Sequence, residues 1–343
     1  DTDISPYKVV AEKARQNETL AIMQINHPGR QVFKKMGGKV LSPSDVALNM
    51  GKHSGMFKQP TPMTEEEIQD VINRFVTTAQ KAKEAGFDGV QIHAAHGYLL
   101  SSFLSPVVNR RDDAWGGALE NRARMLLETL RAVRRRVGPD FPVAVKLNSA
   151  DFQRGGFEFE DCLKLVEMLN QEGLDLLELS GGSYEQPQLF GYQGQSQTAV
   201  ERPRTAAREA YFLEYARQVR ALAQMPVMVT GGFRTRAVML AAIESGDADV
   251  VGLARPMCGD PDIAGKLLHA EVSEAPRFEQ TLKVLSGNQS APLWLWPIQV
   301  FGQQAWYYLQ IFRMGRGRKP KWSLWPMICF LRFQTDEMVK AIL

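Results

Sequence analysis

Residues 85–121 read AGFDGVQIHAAHGYLLSSFLSPVVNRRDDAWGGALEN, and the fold is decided in their first third. A short apolar strand, Gly89–Ile92, follows the helix-stopping Gly86 and runs straight into His93, Ala94, Ala95, His96, Gly97 and Tyr98. A loop of Asn, Arg, Asp and Gly comes next, then a long amphipathic helix from Leu119 to Val137 that ends at Gly138-Pro139. Strand, polar cluster and helix make one βα unit. Two imidazoles and a phenol at the carboxyl end of a strand can hold and protonate an anionic oxygen.

The same pattern recurs on either side. Upstream, Ser5–Gln16 reads as a helix with Ser5 as N-cap and Pro6 at its first position. Leu20–Ile25 reads as a buried strand, and residues 31–62 as loop. Thr64 with three following glutamates caps a helix that Gly86 stops. Downstream, strands are expected at Val143–Leu147, Leu176–Leu179, Val227–Thr230 and Val250–Leu253. Helices are expected at Phe159–Glu172, Ala206–Ala223, Thr235–Ser245 and Asp262–His269, with a long loop through Arg204. Within Leu119–Val137, Glu120 and Arg124 are spaced to pair.

Apolar strands alternating with amphipathic helices predict a parallel α/β fold with both sheet faces covered. No GxGxxG follows the first strand, which argues against a Rossmann domain. The fold class expected is a TIM (β/α)8-type barrel, with polar residues collected at the carboxyl ends of its strands. Only six strand–helix units are legible where such a barrel has eight, so it reads as N-terminally incomplete: either two strands precede Asp1 or the barrel is open. The expected division is a barrel over residues 1–272 and a C-terminal aromatic extension over residues 273–343.

The 343 residues carry a formal net charge of +3, too small to make nucleic acid or acidic membrane the main partner. Three scattered cysteines without CxxC spacing suggest a reducing compartment, hence a cytoplasmic protein, and no zinc site. No HExxH surrounds His93 and His96, so no metal is expected there, and no GxSxG elbow marks a nucleophilic serine. No apolar stretch is long enough to span a bilayer, and no signal peptide is visible.

Two glycine-rich turns suit a phosphate: Thr230-Gly231-Gly232-Phe233 and Gly252-Leu253-Ala254-Arg255-Pro256 close the last two strands. Glycine lets backbone N–H groups approach closely, and Arg255 adds a charged donor. Lys146 lies inside an apolar strand, where an unpaired charge is costly unless it meets an anion or a carbonyl. Gln24 sits similarly, with an amide able to pair with donor and acceptor edges of a ring.

Together these segments resemble the old yellow enzyme family of FMN-dependent oxidoreductases, from about Leu20 to Leu268. The resemblance rests on Gln24-x-x-His27-x-Gly29-Arg30, His93-Ala94-Ala95-His96-Gly97-Tyr98, Asn109-Arg110-Arg111-Asp112, Gly116-Gly117, Glu120-Asn121-Arg122 and the two closing turns. It implies an FMN over the carboxyl end of the barrel, with Gln24 at its pyrimidine edge and Lys146, where many members carry Arg, near N1 and the C2 carbonyl. Gly231, Gly232, Ala254 and Arg255 would hold the phosphate. His93 and His96 would grip the carbonyl oxygen of an enone-type substrate, Tyr98 would protonate the α-carbon, and NADH or NADPH would be the reductant. The resemblance leaves His27 and Arg30 between flavin contact and loop bracing, and gives the Arg110–Arg122 segment a structural role. The rival expectations are a truncated barrel unable to retain FMN and a peripheral binding protein acting through its tail.

That tail holds five of the six tryptophans, Trp294, Trp296, Trp306, Trp322 and Trp325, around the basic run from Arg313 to Lys321. It is expected to pack on the barrel or on a second subunit of a homo-oligomer rather than on lipid or nucleic acid.

Overall fold

The computed structural model describes residues 2–182, 205–284 and 296–342. In chain order the first elements are α1 (Ser5–Ala14), β1 (Ile22–Ile25), β2 (Leu41–Ser42), β3 (Thr61–Pro62), α2 (Glu65–Glu84) and β4 (Gly89–Ala94). Then come α3 (Leu99–Leu104), α4 (Leu119–Val137), β5 (Val143–Asn148), α5 (Phe159–Leu169), β6 (Leu176–Ser180) and α6 (Thr205–Leu222). The chain continues through β7 (Val227–Thr230), α7 (Arg236–Glu244), β8 (Val250–Gly252), α8 (Arg255–Gly259), α9 (Ile263–Leu268) and α10 (Phe278–Thr281). Two long helices, α11 (Trp296–Gly315) and α12 (Pro326–Ile342), end it.

Six strands form one sheet in the order β1-β4-β5-β6-β7-β8, and β2 with β3 form a separate pair. From β1 through β7 the neighbouring strands of this sheet pair in parallel, as βα repeats require. The six expected strand–helix units of a (β/α) barrel are therefore present. Most of the long loop before Arg204 lies outside the described residues.

The helices form where the sequence period demands. α2 buries Ile68, Val71, Ile72, Phe75, Ala79 and Ala82, one face at 3.6-residue spacing. Its start is a complete capping box: Thr64 Oγ1 accepts the Glu67 N–H at 3.3 Å, and Glu67 accepts the Thr64 N–H at 3.1 Å. α4 packs beside α2 and buries Leu126, Leu130 and Val133 along the same kind of stripe.

Three local expectations are corrected. Ser5 is inside α1 rather than its cap, because Asp3 Oδ1 accepts the Ser5 N–H at 2.9 Å. β1 begins at Ile22 rather than Leu20, since the Ala21 N–H goes to the Asp88 carboxylate at 2.8 Å and leaves Leu20 73% exposed. Arg124 faces Glu128 at 3.9 Å and the Trp115 ring rather than Glu120.

By contacts the chain forms two compact units. One holds residues 2–182, 211–229 and 246–250; the other holds 205–210, 230–245, 251–284 and 296–342. In the second, Trp306 is fully buried against Phe278, Leu282, Ala305, Leu309 and Cys329. The Trp322 and Trp325 indole N–H groups donate to Gly259 O at 2.7 Å and Val284 O at 2.9 Å. These tail aromatics are thus tied within their own unit, while Trp294 lies outside the described residues. Among the described residues no helix is long and apolar enough to cross a membrane.

Candidate active site

The first unit builds its site on adjacent strand ends. In register, His93 of β4 lies beside Lys146 of β5, which lies beside Glu178 of β6. Besides the expected Lys146, the strands depart from an apolar pattern at Gln91 and Glu178, both buried. They satisfy one another. Lys146 Nζ donates to Glu178 Oε1 at 2.7 Å, and Gln91 Nε2 donates to Glu178 Oε2 at 2.7 Å. Gln24 Nε2 in turn donates to Gln91 Oε1 at 2.6 Å. The anion that a lysine inside a strand demands is Glu178, which sequence reasoning missed. Its signal was present: one acid in the otherwise apolar Leu176-Leu177-Glu178-Leu179.

Beside this chain stand the two imidazoles and the phenol. His93 and His96 meet edge-on with ring centres 5.1 Å apart, and His93 and Tyr98 with ring centres 5.0 Å apart. His93 is buried, and its Nδ1 accepts the Ala95 N–H at 3.2 Å. That bond puts the proton of the neutral ring on Nε2. Burial, aided by the Lys146 charge, pulls the His93 pKa down to about 4. Burial, aided by His93 and Lys146, pulls His96 down to about 3. At neutral pH both rings are therefore uncharged hydrogen-bonding groups.

His96 holds an unusual backbone for its type, with φ of 60°, followed by Gly97 at 73°. The surroundings fix it there. Its N–H donates to Asn148 Oδ1 at 3.1 Å, its carbonyl accepts from Gln31 Nε2 at 2.7 Å, and its Nε2 lies 2.8 Å from Ser180 Oγ. A non-glycine residue held in this region by several independent bonds is a common device of functional sites. Gln31, Asn148 and Ser180 went unnoticed in the sequence because polar residues at strand ends and in loops carry no special signal there.

The two ambiguous residues brace the loop after β1. Buried Arg30 donates to the carbonyls of Val46 at 3.3 Å and Ala47 at 3.0 Å. His27 Nδ1 accepts the Gly29 N–H at 3.1 Å, and its carbonyl accepts the Leu99 N–H at 3.1 Å. Burial lowers the His27 pKa. The Arg110–Arg122 segment also braces. Arg111 donates to Pro43 O at 3.1 Å and Met63 O at 2.7 Å, and Arg122 pairs with Asp161 at 3.0 Å.

The second unit carries the glycine-rich turns. Gly231 and Gly232 both have positive φ, 120° and 81°, which only glycine adopts without strain. Thr230 Oγ1 beside them is buried and has no hydrogen-bond partner among the described residues. Ala254 precedes the first turn of α8, and Arg255 opens that turn; both are exposed. A buried arginine, Arg234, joins this region unforeseen, pairing with Glu279 at 2.9 Å while burial lowers its pKa.

These residues can be set against known proteins. A model of the NADH:flavin oxidoreductase / NADH oxidase family matches residues 1–273. The chain belongs to this family. Among relatives, it is 38% identical over 282 residues to an NADH-dependent flavin oxidoreductase of Neonectria sp. (strain DH2), covering 76% of this chain and 36% of that protein. It is 34% identical over 332 residues to one of Talaromyces variabilis, covering 90% of this chain and 77% of that protein. An NADPH dehydrogenase of Bacillus velezensis is 29% identical over 82% of this chain and 76% of its own length. The share of the relatives that the chain spans thus runs from about a third to about three quarters.

Solved structures agree in fold. A 2-naphthoyl-CoA reductase complex superposes with a TM-score of 0.69 at 28% identity, over 78% of this chain and 41% of that one. An old yellow enzyme homologue from Zymomonas mobilis gives 0.63 at 24% identity, over 80% and 74%. The family's proteins use FMN and, by the relatives' names, NADH or NADPH. The residues present suit that cofactor. Each unit taken by itself offers groups of the right kind: the first the Gln24 amide and the Lys146 ammonium, the second paired positive-φ glycines and a Thr230 hydroxyl with no partner among the described residues.

Proposed function

We propose that the chain is an FMN-dependent ene-reductase that passes a hydride from NADH or NADPH to the activated C=C bond of an α,β-unsaturated carbonyl compound. The carrying observation is the pair of neutral imidazoles 5.1 Å apart with a phenol beside them. Bound FMN supplies the hydride relay. Gln24 and Lys146 address the ring, and Gly231, Gly232, Ala254 and Arg255 address the phosphate. Residues 1–272 carry these groups, and residues 273–343 are an extension.

The chain's own residues prepare the alkene. His93 donates from Nε2, the nitrogen its Ala95 bond leaves protonated. His96 donates from Nδ1 when Ser180 Oγ–H points at Nε2, so Ser180 sets the tautomer. Two donors on one carbonyl oxygen draw electron density from the β-carbon and stabilise the enolate as hydride arrives. Tyr98 gives its phenolic proton to the α-carbon. The scattered free cysteines Cys162, Cys258 and Cys329 support a reducing compartment, the cytoplasm, as its place of action.

The test is reconstitution. The chain is incubated with FMN and desalted, its absorbance is read, and NAD(P)H oxidation is followed with and without an enone. Retained flavin, enone-dependent oxidation and a loss of about 100-fold in Tyr98→Phe support the reading. A desalted protein with no flavin absorbance would leave a barrel that holds no cofactor.

A further inference from the structure

The polar chain linking β1, β4, β5 and β6 has an order that follows from its donors and acceptors. We infer that Glu178 is a positioning residue: one carboxylate on β6 sets the ammonium of Lys146 on β5 and, by way of Gln91 on β4, the side-chain amide of Gln24 on β1. An ionised carboxylate only accepts hydrogen bonds. Gln91 must therefore turn its NH2 toward Glu178, at 2.7 Å, which turns its carbonyl oxygen toward β1. Gln24 must then turn its own NH2 toward that oxygen, at 2.6 Å. Neither amide has a choice, because reversing either one sets two acceptors or two donors face to face.

Lys146 is fixed by the other oxygen, at 2.7 Å, with the two side chains 13% and 7% exposed. Among the described residues these bonds leave over a defined set: two N–H donors on Lys146, and one N–H with one carbonyl oxygen on Gln24. A heteroaromatic ring edge with alternating donors and acceptors needs such a set. The consequence for flavin rests on the proposed FMN reading; the positioning itself does not. Glu178 also makes Lys146 half of an ion pair, so a bound ring meets a dipole rather than a full positive charge.

Two measurements separate these. In the 15N-labelled protein without cofactor, the side-chain NH2 signals of Gln24 and Gln91 are assigned with Gln24→Asn and Gln91→Asn. In Glu178→Gln both pairs of signals shift and lose protection from exchange, whereas Glu128→Gln, a surface change, leaves them in place. With FMN bound, the flavin midpoint potential of Glu178→Gln rises by about 30 mV, a tenfold gain for the reduced over the oxidised form. Should Glu178→Gln not fold, Gln91→Leu severs the relay and leaves the Lys146–Glu178 pair; it releases the Gln24 signals alone. Unchanged Gln24 signals in the folded variant overturn the inference. An unchanged potential in protein that holds FMN also overturns it, since Lys146 would then not be governed by Glu178. Shifted amide signals in a protein that retains no FMN support the positioning and sink the flavin reading instead.

Discussion

His93 and His96 owe their usefulness to being uncharged. An imidazolium next to Lys146 in a buried site would be repelled and poorly solvated, so each ring keeps its lone pair down to about pH 4 and about pH 3. This has a cost that depends on pH. The unfolded chain protonates both rings below about pH 6.5, while the folded chain does not until the lowered values are reached. Between those limits the unfolded state binds more protons, so stability is full above pH 6.5 and declines as pH falls. Each histidine removes at most about 1.4 kcal/mol per pH unit across its window. Urea midpoints at pH 7.5 and pH 5 should therefore converge in His93→Gln/His96→Gln relative to the parent. Equal pH slopes in the two proteins would contradict neutral imidazoles. The same two side chains should govern ligand grip. In His93→Ala/His96→Ala, phenol and enone affinity, read from the flavin spectrum, should fall by roughly 10- to 100-fold per lost donor.

Among the elements, the turn after β1 and the start of α3 show how little room the site leaves. Gly29 has φ of 57°, and a Cβ there would lie 2.9 Å from the Leu99 backbone nitrogen and 3.0 Å from its Cα. Gly29→Ala should therefore cost about 1–3 kcal/mol and loosen α3, with a lower denaturation midpoint and poorer FMN retention. Thr64→Ala, at the opposite extreme, removes a cap distant in role from the chemistry. It should cost about 1 kcal/mol in denaturation with no change in flavin spectrum. The elements differ in how readable they were. Thr64–Glu67, the apolar stripes of α2 and α4, and Gly86 and Gly138 are local signals, and α4 came out with its expected bounds. β1 was overextended because the Asp88 carboxylate that takes the Ala21 N–H lies 67 residues away. Glu120 and Arg124 were well spaced, yet Arg124 lies over Trp115 and faces Glu128, a choice made by packing rather than by period.

For the molecule as a whole, ligand linkage gives the broadest check. A cofactor that binds only the folded state should add about 2.7 kcal/mol at 100 times its Kd, so FMN should raise the thermal midpoint, and riboflavin less so. No shift with FMN would count against the phosphate role of Gly231, Gly232 and Arg255. The tail makes a second check. Its Trp322 and Trp325 N–H groups are already spent on backbone carbonyls of their own unit, and Trp306 is buried. Liposome flotation should accordingly be the same with and without residues 293–343. The sequence alone determined the parallel α/β repeat, the six strands, the residues at their carboxyl ends and the family resemblance, because periodicity, caps and short motifs are local along the chain. Only the tertiary structure decided that Lys146 answers to Glu178, that Gln91 hands this constraint on to Gln24, and that His96 is pinned by Gln31, Asn148 and Ser180. Those partners stand on different strands and loops, where a hydrogen bond is chosen by a few ångströms of register rather than by any spacing in the sequence.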